Sequence, residues 1–375
     1  MKKIIFRKFL IDYISFFLIA LLSSSVIIWV FQAVNYLDIM IEDGRDYIVY
    51  VKFSLLNFPK ILTRLMPFVL FFSLFYVTTK YENNNQLIIF WNFGIHKIDL
   101  TNFIIKVSLI LMLFQITLLS LIVPKSQDLA RNYIRNSNVN FFENFIKPQK
   151  FNDTIRGVTI FTEKKDKNGN LYNLYLKKEV ENNQFQITYA KKGVFKEFNK
   201  IPVLILYDGE TIKGGNEGIA NFKFSKSDFP LNNFETNTTT YIKTQELSTL
   251  KLFDCINSIY LSKLKKPDRS IENCTIQNSK KILEEFYKRI FVPFYIPLLV
   301  LITFLLMLSS KENNNYSKLK IFTFLFGFFF IIFSETTVKL ITDNLYENLY
   351  IIIIPFISFM FLYVLLFRKL NFKLK

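Results

Sequence analysis

Side chains that commonly perform acid–base or nucleophilic chemistry are few in this sequence, and they do not cluster. The 375 residues include one histidine, His96, and two cysteines, Cys255 and Cys274. No segment has the G-x-x-x-x-G-K-[ST] pattern that cradles nucleotide phosphates, and no Gly-x-Ser-x-Gly elbow presents a serine nucleophile. The two cysteines are too few for a metal cluster, and they are either buried thiols or one disulfide in an oxidising compartment. The sequence therefore predicts a non-enzyme with no cofactor or metal of its own.

A different pattern combines a potential ion pair with two prolines. Glu285, Arg289 and Pro293 are spaced four residues apart in the run EEFYKRIFVPFYIP. Residues four apart share one helix face, so the carboxylate and the guanidinium can pair. Pro293 and Pro297 are expected to free backbone carbonyls and to kink the helix. This pattern is typical of a helix that enters a membrane with basic residues at the boundary.

Residues 80–100 mix apolar and polar side chains in a segment too short and too polar to cross a bilayer. We predict an amphipathic helix near residues 82–97. One interpretation is an interfacial helix that Trp91 and Phe93 anchor on the membrane surface. The other is a coupling helix that docks in a groove of a partner protein. The apolar members are Leu87, Ile88, Phe90, Trp91, Phe93 and Ile95.

Long apolar runs place these patterns in a membrane. Hydrophobic residues make up 51% of the chain, and a run of about 20 of them crosses a bilayer core. The candidate spans lie at residues 13–31, 53–79, 107–123, 290–310, 321–334 and 348–367. The first span is expected to be retained, because it is too long for a signal peptide and has no small-residue cleavage site. The sequence predicts six transmembrane helices in two groups of three.

The distribution of basic residues predicts the orientation. Both termini are expected in the cytoplasm by the positive-inside rule, and the insert between the third and fourth spans is expected outside. These membrane flanks account for much of the net charge of +17, so we predict no nucleic-acid partner. The acidic residues of the first loop, Glu42, Asp43 and Asp46, fit the outer side. The basic flanks are Lys2, Lys3, Arg7, Lys8, Lys311, Lys318, Lys320, Arg368, Lys369, Lys373 and Lys375.

The region between the third and fourth spans changes to a β pattern. Short runs rich in β-branched and aromatic residues lie at 154–162, 171–176, 184–190 and 203–207, with turn signals such as Asp208-Gly209 between them. We predict an all-β domain outside the membrane, a sandwich or an open roll, with linkers over residues 124–283, between transmembrane residues 1–123 and 284–375.

The order of these segments resembles the lipopolysaccharide export permeases of the LptF/LptG family over nearly the whole chain. The resemblance includes Asn85-Gln86-Leu87 followed by Gly94-Ile95, the strand LILYDG at residues 204–209, and the Glu285–Arg289–Pro293 entry to the fourth helix. It also includes Pro59 and Pro67 in the second helix and Pro124 after the third. Gln86 stands where the family usually has an acidic residue, so either nearby Glu82 supplies the charge or the contact is hydrogen-bonded.

The resemblance implies one of two sister permeases of an ABC exporter in the bacterial inner membrane. It also implies that the insert is a jellyroll-like periplasmic domain whose edge strand pairs with a neighbouring jellyroll. A separate cytoplasmic ATPase dimer would bind ATP, and lipopolysaccharide would pass to a single-helix jellyroll partner and a periplasmic bridge protein. The resemblance implies ATPase coupling for Glu82, Gln86, Leu87, Phe90, Phe93 and Gly94. Lipid head-group contacts are expected at Lys60, Arg64, Lys288, Arg289 and Lys339. A lateral gate between the first and fifth helices is expected to use the small residues Ser24 and Gly327.

Two other functions stay open at this point. A permease of another ABC export system, for lipoproteins or other amphiphiles, would also lack nucleotide motifs, but it usually has its large domain after the first helix. A membrane-anchored periplasmic sensor or scaffold would need neither a coupling helix nor a sister permease. Co-purification of a nucleotide-binding subunit separates the exporter from the sensor.

Overall fold

The computed structural model describes residues 2–41, 47–136, 146, 148–155, 158–166, 169–180, 184–198, 201–215, 218–230, 243–261 and 273–371. The predicted acidic loop residues Glu42, Asp43 and Asp46 lie outside this part, as do residues 231–242 and 262–272. The chain divides into a helical unit and a second unit that contains the sheet. The helical unit comprises Met1–Phe31, Leu55–Ala130 and Tyr241–Lys375, and the second comprises Gln32–Ser54 and Arg131–Thr240.

Most of the described chain is helical. The α-helices are α1 (Lys2–Ile41), α2 (Tyr47–Asn83), α3 (Gln86–Asn92), α4 (Lys97–Thr117), α5 (Val123–Asn136), α6 (Thr249–Ile256), α7 (Ser279–Ile290), α8 (Tyr295–Phe304), α9 (Tyr316–Lys339) and α10 (Leu345–Asn371). A π-helical turn, Leu118–Ile122, joins α4 to α5. The predicted end of the third span near Val123 is therefore wrong, because the helix continues past Pro124.

Within the residues that the structure describes, six helical segments are long and apolar enough to cross a membrane, as the sequence predicts. They are Lys2–Leu37, Tyr47–Asn83, Lys97–Ile134, Ile276–Leu308, Tyr316–Lys339 and Leu345–Leu370. The bundle has two ends. We call one the terminal end, because the first span begins there and the sixth span ends there. We call the other the insert end, because the third span ends there and the fourth span begins there.

The fourth span lies at the centre of the bundle. Every residue of α8 is buried, and this helix packs against α4, α9 and α10. A helix that is apolar on all sides is expected in the interior. By contrast, α1 and α9 expose apolar side chains such as Ile19, Ile27, Ile321 and Phe329. These exposed faces are suited to lipid or to another membrane helix.

The fourth span is interrupted where the prolines predict it. α7 ends at Ile290, a 3-10 turn over Val292–Phe294 follows, and α8 begins at Tyr295. Pro293 lies in that turn and cannot donate a backbone hydrogen bond. The predicted kink is confirmed, and it separates the polar helix α7 from the buried helix α8.

The described residues of the insert contain a six-stranded antiparallel sheet over residues 151–230, which confirms the predicted β-rich insert. Each strand pairs with its neighbour in sequence, so the described strands form a meander. The sheet has an added strand, β6, and the predicted first strand is split in two. The bounds are β1 (Phe151–Ile155), β2 (Val158–Lys165), β3 (Leu171–Val180), β4 (Gln184–Phe198), β5 (Ile201–Gly215) and β6 (Gly218–Pro230).

The predicted turn at Asp208-Gly209 is wrong, because both residues lie within β5. Gly209 pairs with Ala190 of β4 and with Phe224 of β6. Asp208 has a left-handed backbone (φ 48°), and a Cβ on Gly209 would collide with the carbonyl oxygen of Tyr189. Asp208 and Gly209, whose residue types are common in turns, therefore form an irregularity inside β5.

That irregularity belongs to a line that crosses five strands. The pairing registers skip one residue in each of β2 to β6. Asn173 on this line also has a positive φ of 51°, and its side-chain amide donates to the Glu163 carboxylate. The two left-handed residues on the line therefore lie on β3 and β5, on either side of β4. The skipped residues are Glu163, Asn173, Lys191, Asp208 and Ser225.

One face of the sheet is apolar and buried, as predicted for the inward residues. Leu171, Leu174 and Leu176 of β3 all lie in this cluster. The opposite face carries Phe161, Tyr175 and Tyr189 at paired positions on β2, β3 and β4. The rings of Tyr175 and Tyr189 are 5.3 Å apart. The alternation of the two faces is what a half-buried antiparallel sheet requires.

Candidate functional site

The predicted coupling helix is α3, a two-turn helix between two left-handed residues. Asn85 (φ 57°) precedes it and Gly94 (φ 69°) follows it. The Ile95 N–H donates to the Phe90 carbonyl (3.2 Å), and the Gly94 N–H donates to the Trp91 carbonyl (3.0 Å). A Cβ on Gly94 would meet no other atom within 4 Å, so the glycine is needed for its backbone angle. Gly94 therefore shapes the end of the helix.

The prediction that Leu87 and Phe90 insert into a partner conflicts with their burial inside this chain. Leu87 is 2% exposed and Phe90 is 6% exposed. The Phe90 ring packs edge-on against Phe9 (6.4 Å between centroids) and Tyr81 (6.0 Å). These two side chains hold α3 on the helical unit, because they are the inner face of an amphipathic helix.

The outer face of α3 is apolar and exposed. Ile88 is 40% exposed, Ile89 51% and Phe93 54%, while Gln86 is also exposed. Phe93 is exposed, as insertion into a partner requires. Ile88 and Ile89 have the exposed positions that the sequence predicts for Leu87 and Phe90. We call Ile88, Ile89 and Phe93 the docking face of α3.

Contacts at the terminal end connect the α3 region to the fourth span. The Glu82 carboxylate accepts from the Lys311 backbone N–H (2.9 Å), and the Lys311 ammonium donates to the Asn83 carbonyl (3.1 Å). On the other side of α3, the Lys97 ammonium donates to the Met307 carbonyl (2.8 Å). Glu82 of α2 and Lys97 of α4, which flank α3 in the sequence, are therefore both attached to the end of the fourth span.

At the insert end, Arg289 does not have the exposed position expected of a head-group ligand. The Glu285–Arg289 ion pair is confirmed at 3.0 Å, and the arginine side chain is 1% exposed. Its guanidinium also donates to the carbonyls of Leu247 (2.8 Å) and Gln245 (2.9 Å) and to the Thr249 hydroxyl (3.1 Å). All of these partners belong to the chain itself. Arg289 therefore joins α7 to residues 243–261, which follow the sheet in the chain. We call these residues the returning segment.

The same returning segment is attached to the second and third spans. The Thr249 hydroxyl donates to the Ser120 carbonyl in the π-helical turn (2.8 Å), and the Lys60 ammonium donates to the Gln245 side chain (3.3 Å). The π turn shifts the helical hydrogen bonding by one residue, and π turns are often found at functional sites. The returning segment thus bonds to three spans at the insert end.

A disulfide also fixes this region. Cys255 and Cys274 are bridged, with their Cα atoms 5.8 Å apart, which settles a choice that the sequence leaves open. Both cysteines lie in an apolar cluster with Leu252, Ile282 and Tyr287. The bridge closes the chain around residues 262–272 and holds α6 near the start of the fourth span.

Beside α7 lies an open, polar cleft of about 600 Å³ in the helical unit. Lys288, a predicted head-group residue, lines it together with Lys243 and Lys281. Lys60 is half-buried nearby, within electrostatic range of Lys243 and Lys288. We call this the basic cleft. Arg64 and Lys339 are exposed, and Arg64 is also within electrostatic range of Lys60.

The two residues predicted to form the gate, Ser24 and Gly327, lie in α1 and α9. The Ser24 hydroxyl is half-buried and donates to the Ala20 carbonyl of the same helix (2.7 Å). Gly327 of α9 packs against Phe71 of α2 so closely that a Cβ would collide with the ring. Gly327 thus permits a close approach of the fifth span to the second.

Lys243 and Lys281 are site residues that sequence reasoning missed. Lys281 could have been found, since it precedes Glu284, Glu285 and Lys288 at helical spacing and shares their face. Lys243 could not, because only the tertiary fold brings the returning segment to α7.

The described residues have the architecture of a multi-pass membrane protein: six candidate spans, an inserted antiparallel sheet, a short helix with an exposed apolar face and a basic cleft at the other end of the bundle. The family model described as the lipopolysaccharide export system permease LptF/LptG matches residues 5–369. The chain belongs to this family, and it is a multi-pass permease of lipopolysaccharide export. No curated protein matches the chain significantly.

Proposed function

We propose that this chain pairs with a sister permease and couples lipopolysaccharide extraction to a separate cytoplasmic ATPase through α3. Both termini and α3 would lie in the cytoplasm, and the insert would lie in the periplasm. Two observations support the placement of the insert: the basic residues flank the terminal end, and the disulfide at the insert end suits an oxidising compartment.

The observation that carries the proposal is the docking face of α3. Ile88, Ile89 and Phe93 form an exposed apolar surface on a helix anchored by its opposite face. A short helix with this division of faces fits a hydrophobic groove. Because Glu82 and Lys97 connect the same region to the end of the fourth span, a partner that moves α3 would move the bundle.

The lipid path would use the exposed faces of α1 and α9, together with a second permease. The mid-membrane parts of both helices are apolar, as acyl chains require. Each buried CH₂ of an acyl chain contributes about 0.8 kcal/mol to membrane binding, so extraction needs an external energy source. Arg64 and Lys339 are exposed cations suited to lipid phosphates near the insert end.

The sheet would hand the lipid to the next carrier. β1 and β6 are the edges of the described sheet, and an exposed edge is a template for strand addition by a partner jellyroll. The apolar face with Leu171, Leu174 and Leu176 is covered by the chain itself, so it would have to open before it could contact acyl chains. The insert would therefore be the part of the chain that binds the single-helix jellyroll partner and the periplasmic bridge protein.

The docking face is tested by charge substitution on each side of α3. Ile88→Asp combined with Ile89→Asp is expected to release the ATPase on affinity purification while the permease remains folded. Leu87→Asp is the control, since it buries a charge in the chain's own core and is expected to reduce permease yield. Undiminished ATPase recovery with the double Asp variant would contradict the proposal.

A further inference from the structure

The irregular line across the sheet places extra residues on the face opposite to the apolar cluster. Leu171 and Leu174 of β3 are both buried in that cluster (0% exposed), and two residues, Tyr172 and Asn173, lie between them. A regular strand has only one residue between two inward residues. The rows of paired positions through Leu171 and Leu174 cross β2 to β6, and two residues separate these rows in each strand. We call the separating residues the outer strip, which comprises residues 163–164, 172–173, 191–192, 207–208 and 225–226.

Lysine and tyrosine alternate along one row of the outer strip. The paired residues on β2 to β6 are, in order, Lys164, Tyr172, Lys192, Tyr207 and Lys226. Since adjacent strands are about 4.8 Å apart, the strand positions of the two tyrosines lie about 10 Å apart, with Lys192 between them. The strip therefore has two separate aromatic side chains, and each one lies between two lysine positions.

The other row of the strip supplies hydrogen-bonding groups. It consists of Glu163, Asn173, Lys191, Asp208 and Ser225, all of which are exposed. The Asn173 amide donates to the Glu163 carboxylate. The amide oxygen of Asn173 and the Asp208 carboxylate are acceptors, and a carboxylate can accept from two hydroxyl groups at once. The strip thus combines aromatic, cationic and hydrogen-bonding side chains on one exposed surface.

The strip is positively charged, and its lysines are available to a ligand. It contains four lysines and two carboxylates. Among the residues that the structure describes, no carboxylate lies within ion-pair distance of any of these lysines. Lys164, Lys191 and Lys226 are exposed, and Lys192 is half-buried. A group of exposed ammonium ions attracts an anionic ligand and binds its phosphate or carboxylate oxygens.

The alternation of residue types favours a saccharide over a protein as the ligand. The centre of a protein interface is apolar, and lysine is depleted there, whereas a lysine separates the two aromatic side chains of the strip. A sugar ring has an apolar C–H face that packs on the electron-rich face of an aromatic ring. Its hydroxyl groups bond to amides and carboxylates. Sheet faces also bind oligosaccharides in other folds.

We propose that the outer strip binds the acidic saccharide part of lipopolysaccharide. Tyr172 and Tyr207 stack against sugar rings, and Asp208 accepts from sugar hydroxyl groups. The three lysines of the alternating row bind phosphate or carboxylate groups. This role rests on the proposed function, because it requires that the insert lies on the path of the exported lipid. It adds to that function a contact with the saccharide, on the sheet face opposite to the apolar cluster.

A ligand without acyl chains tests the strip alone, because it has no apolar tail to bind elsewhere. The probe is the saccharide released from lipopolysaccharide by mild acid, titrated calorimetrically into the full chain in detergent. Tyr172→Ala combined with Tyr207→Ala is expected to weaken binding at least about tenfold, because two stacking contacts are lost. The matched control is Tyr346→Ala combined with Tyr350→Ala, which removes two tyrosines of α10 that are each 78% exposed. The control should bind as the unchanged chain does, and thermal unfolding checks that each variant folds.

Removal of charge tests the lysines separately. In the test variant, the three lysines of the alternating row are changed to Gln, and the acidic saccharide is expected to bind more weakly and with less dependence on salt. The matched control changes three exposed lysines at the terminal end to Gln: Lys3, Lys318 and Lys369. Equal affinities of the two triple variants would overturn the role of the lysines.

Two further ligands separate the contributions of charge and sugar rings. Maltoheptaose has sugar rings and no charge, and binding as tight as that of the acidic saccharide would overturn the role of the charges. Linear polyphosphate has charge and no sugar rings. If it binds as tightly as the saccharide, and if the double Tyr→Ala variant binds both equally well, the strip is a site for polyanions only. Absence of saccharide binding to the unchanged chain would overturn the site.

A photoreactive residue identifies the ligand in the complete complex in cells. Tyr172→p-benzoylphenylalanine is expected to give an adduct that an antibody against lipopolysaccharide recognises. The control position is Ile219 at the start of β6, which is 78% exposed and lies outside the strip. The same change there should give much less of this adduct. A protein adduct at Tyr172 in place of the lipopolysaccharide adduct would assign the strip to a protein partner and overturn the saccharide.

Failure of the strip can be separated from failure of the proposed function. ATP-dependent lipopolysaccharide release from proteoliposomes, reconstituted with the sister permease and the ATPase, tests the function without reference to the strip. If the unchanged complex releases lipid while the acyl-free saccharide does not bind, the role of the strip alone is wrong. If the saccharide binds through the strip and ATP drives no release, the proposed function alone is wrong.

Discussion

Arg289 illustrates how burial decides the role of a charged residue. Its type and its position near a predicted membrane boundary favour a lipid phosphate ligand. In the structure, its donors are instead engaged by Glu285, by Thr249 and by the carbonyls of Gln245 and Leu247. A planar guanidinium spreads five donors over three nitrogens and can reach acceptors on different segments at once, whereas a lysine ammonium has three donors on a single nitrogen.

We expect Arg289→Met to destabilise the chain strongly, because it leaves a carboxylate and two carbonyls without their donor. Removal of one member of a buried pair costs on the order of 3–5 kcal/mol. Arg289→Lys should recover only part of this, since one ammonium cannot reach all of the acceptors. The measurement is thermal unfolding in detergent. Arg64→Met is the control, because Arg64 is exposed and its loss should change stability by less than about 0.5 kcal/mol.

At the scale of the elements, apolar run length predicted the spans because it is a local property of the sequence. The six spans and the β-rich insert are found where the composition changes. The inner face of α3 could not be predicted, since both of its faces carry apolar residues. Packing of Phe9 and Tyr81 decides that Leu87 and Phe90 lie inside and Ile88 and Ile89 outside.

In the strands too, local sequence predicts one part of the structure and long-range contacts decide the other. The residue types of Asp208-Gly209 are common in turns, so the local sequence predicts that β5 ends near them. Pairing with β4 and β6 on both sides continues the strand through them to Gly215. In the cleft, Lys288 was predicted from its place at a helix entry, whereas Lys243 depends on a contact between distant segments.

The close approach of α9 to α2 gives a prediction about one helix pair. Gly327→Ala should destabilise the bundle by about 1–3 kcal/mol, because the added methyl group would collide with the Phe71 ring. The double variant with Phe71→Ala should be less destabilised than the sum of the two single variants, since the smaller side chain removes the collision. Thermal unfolding of the four proteins measures this coupling. Strict additivity would show that the two residues do not constrain each other.

The Cys255–Cys274 bridge gives a prediction about the returning segment. Alkylation of the denatured protein without reductant should add no mass, and alkylation after reduction should modify both cysteines. Changing both cysteines to Ser should lower stability by about 3 kcal/mol, because the bridge closes a loop in the unfolded chain. The reduced sample is the positive control for alkylation. Labelling before reduction would contradict the bridge.

At the scale of the whole molecule, contacts at the two ends of the bundle have different characters. The terminal end is held by hydrogen bonds of Glu82, Lys97 and Lys311 around the exposed helix α3. The insert end is held by the disulfide and by the buried Arg289. A disulfide is stable in the periplasm and not in the cytoplasm, and cytoplasmic loops are enriched in Lys and Arg. Both features support the proposed placement of the insert end in the periplasm.

This orientation predicts the accessibility of cysteines introduced one at a time. Lys191 on β4 and Lys318 at the start of α9 are both exposed, so Lys191→Cys and Lys318→Cys are a matched pair. In spheroplasts, a membrane-impermeant maleimide should label Lys191→Cys directly and Lys318→Cys only after permeabilisation. The unchanged chain is the control, and it should stay unlabelled because its own cysteines are bridged. The opposite labelling order would reverse the topology, and it would place α3 where no cytoplasmic ATPase could reach it.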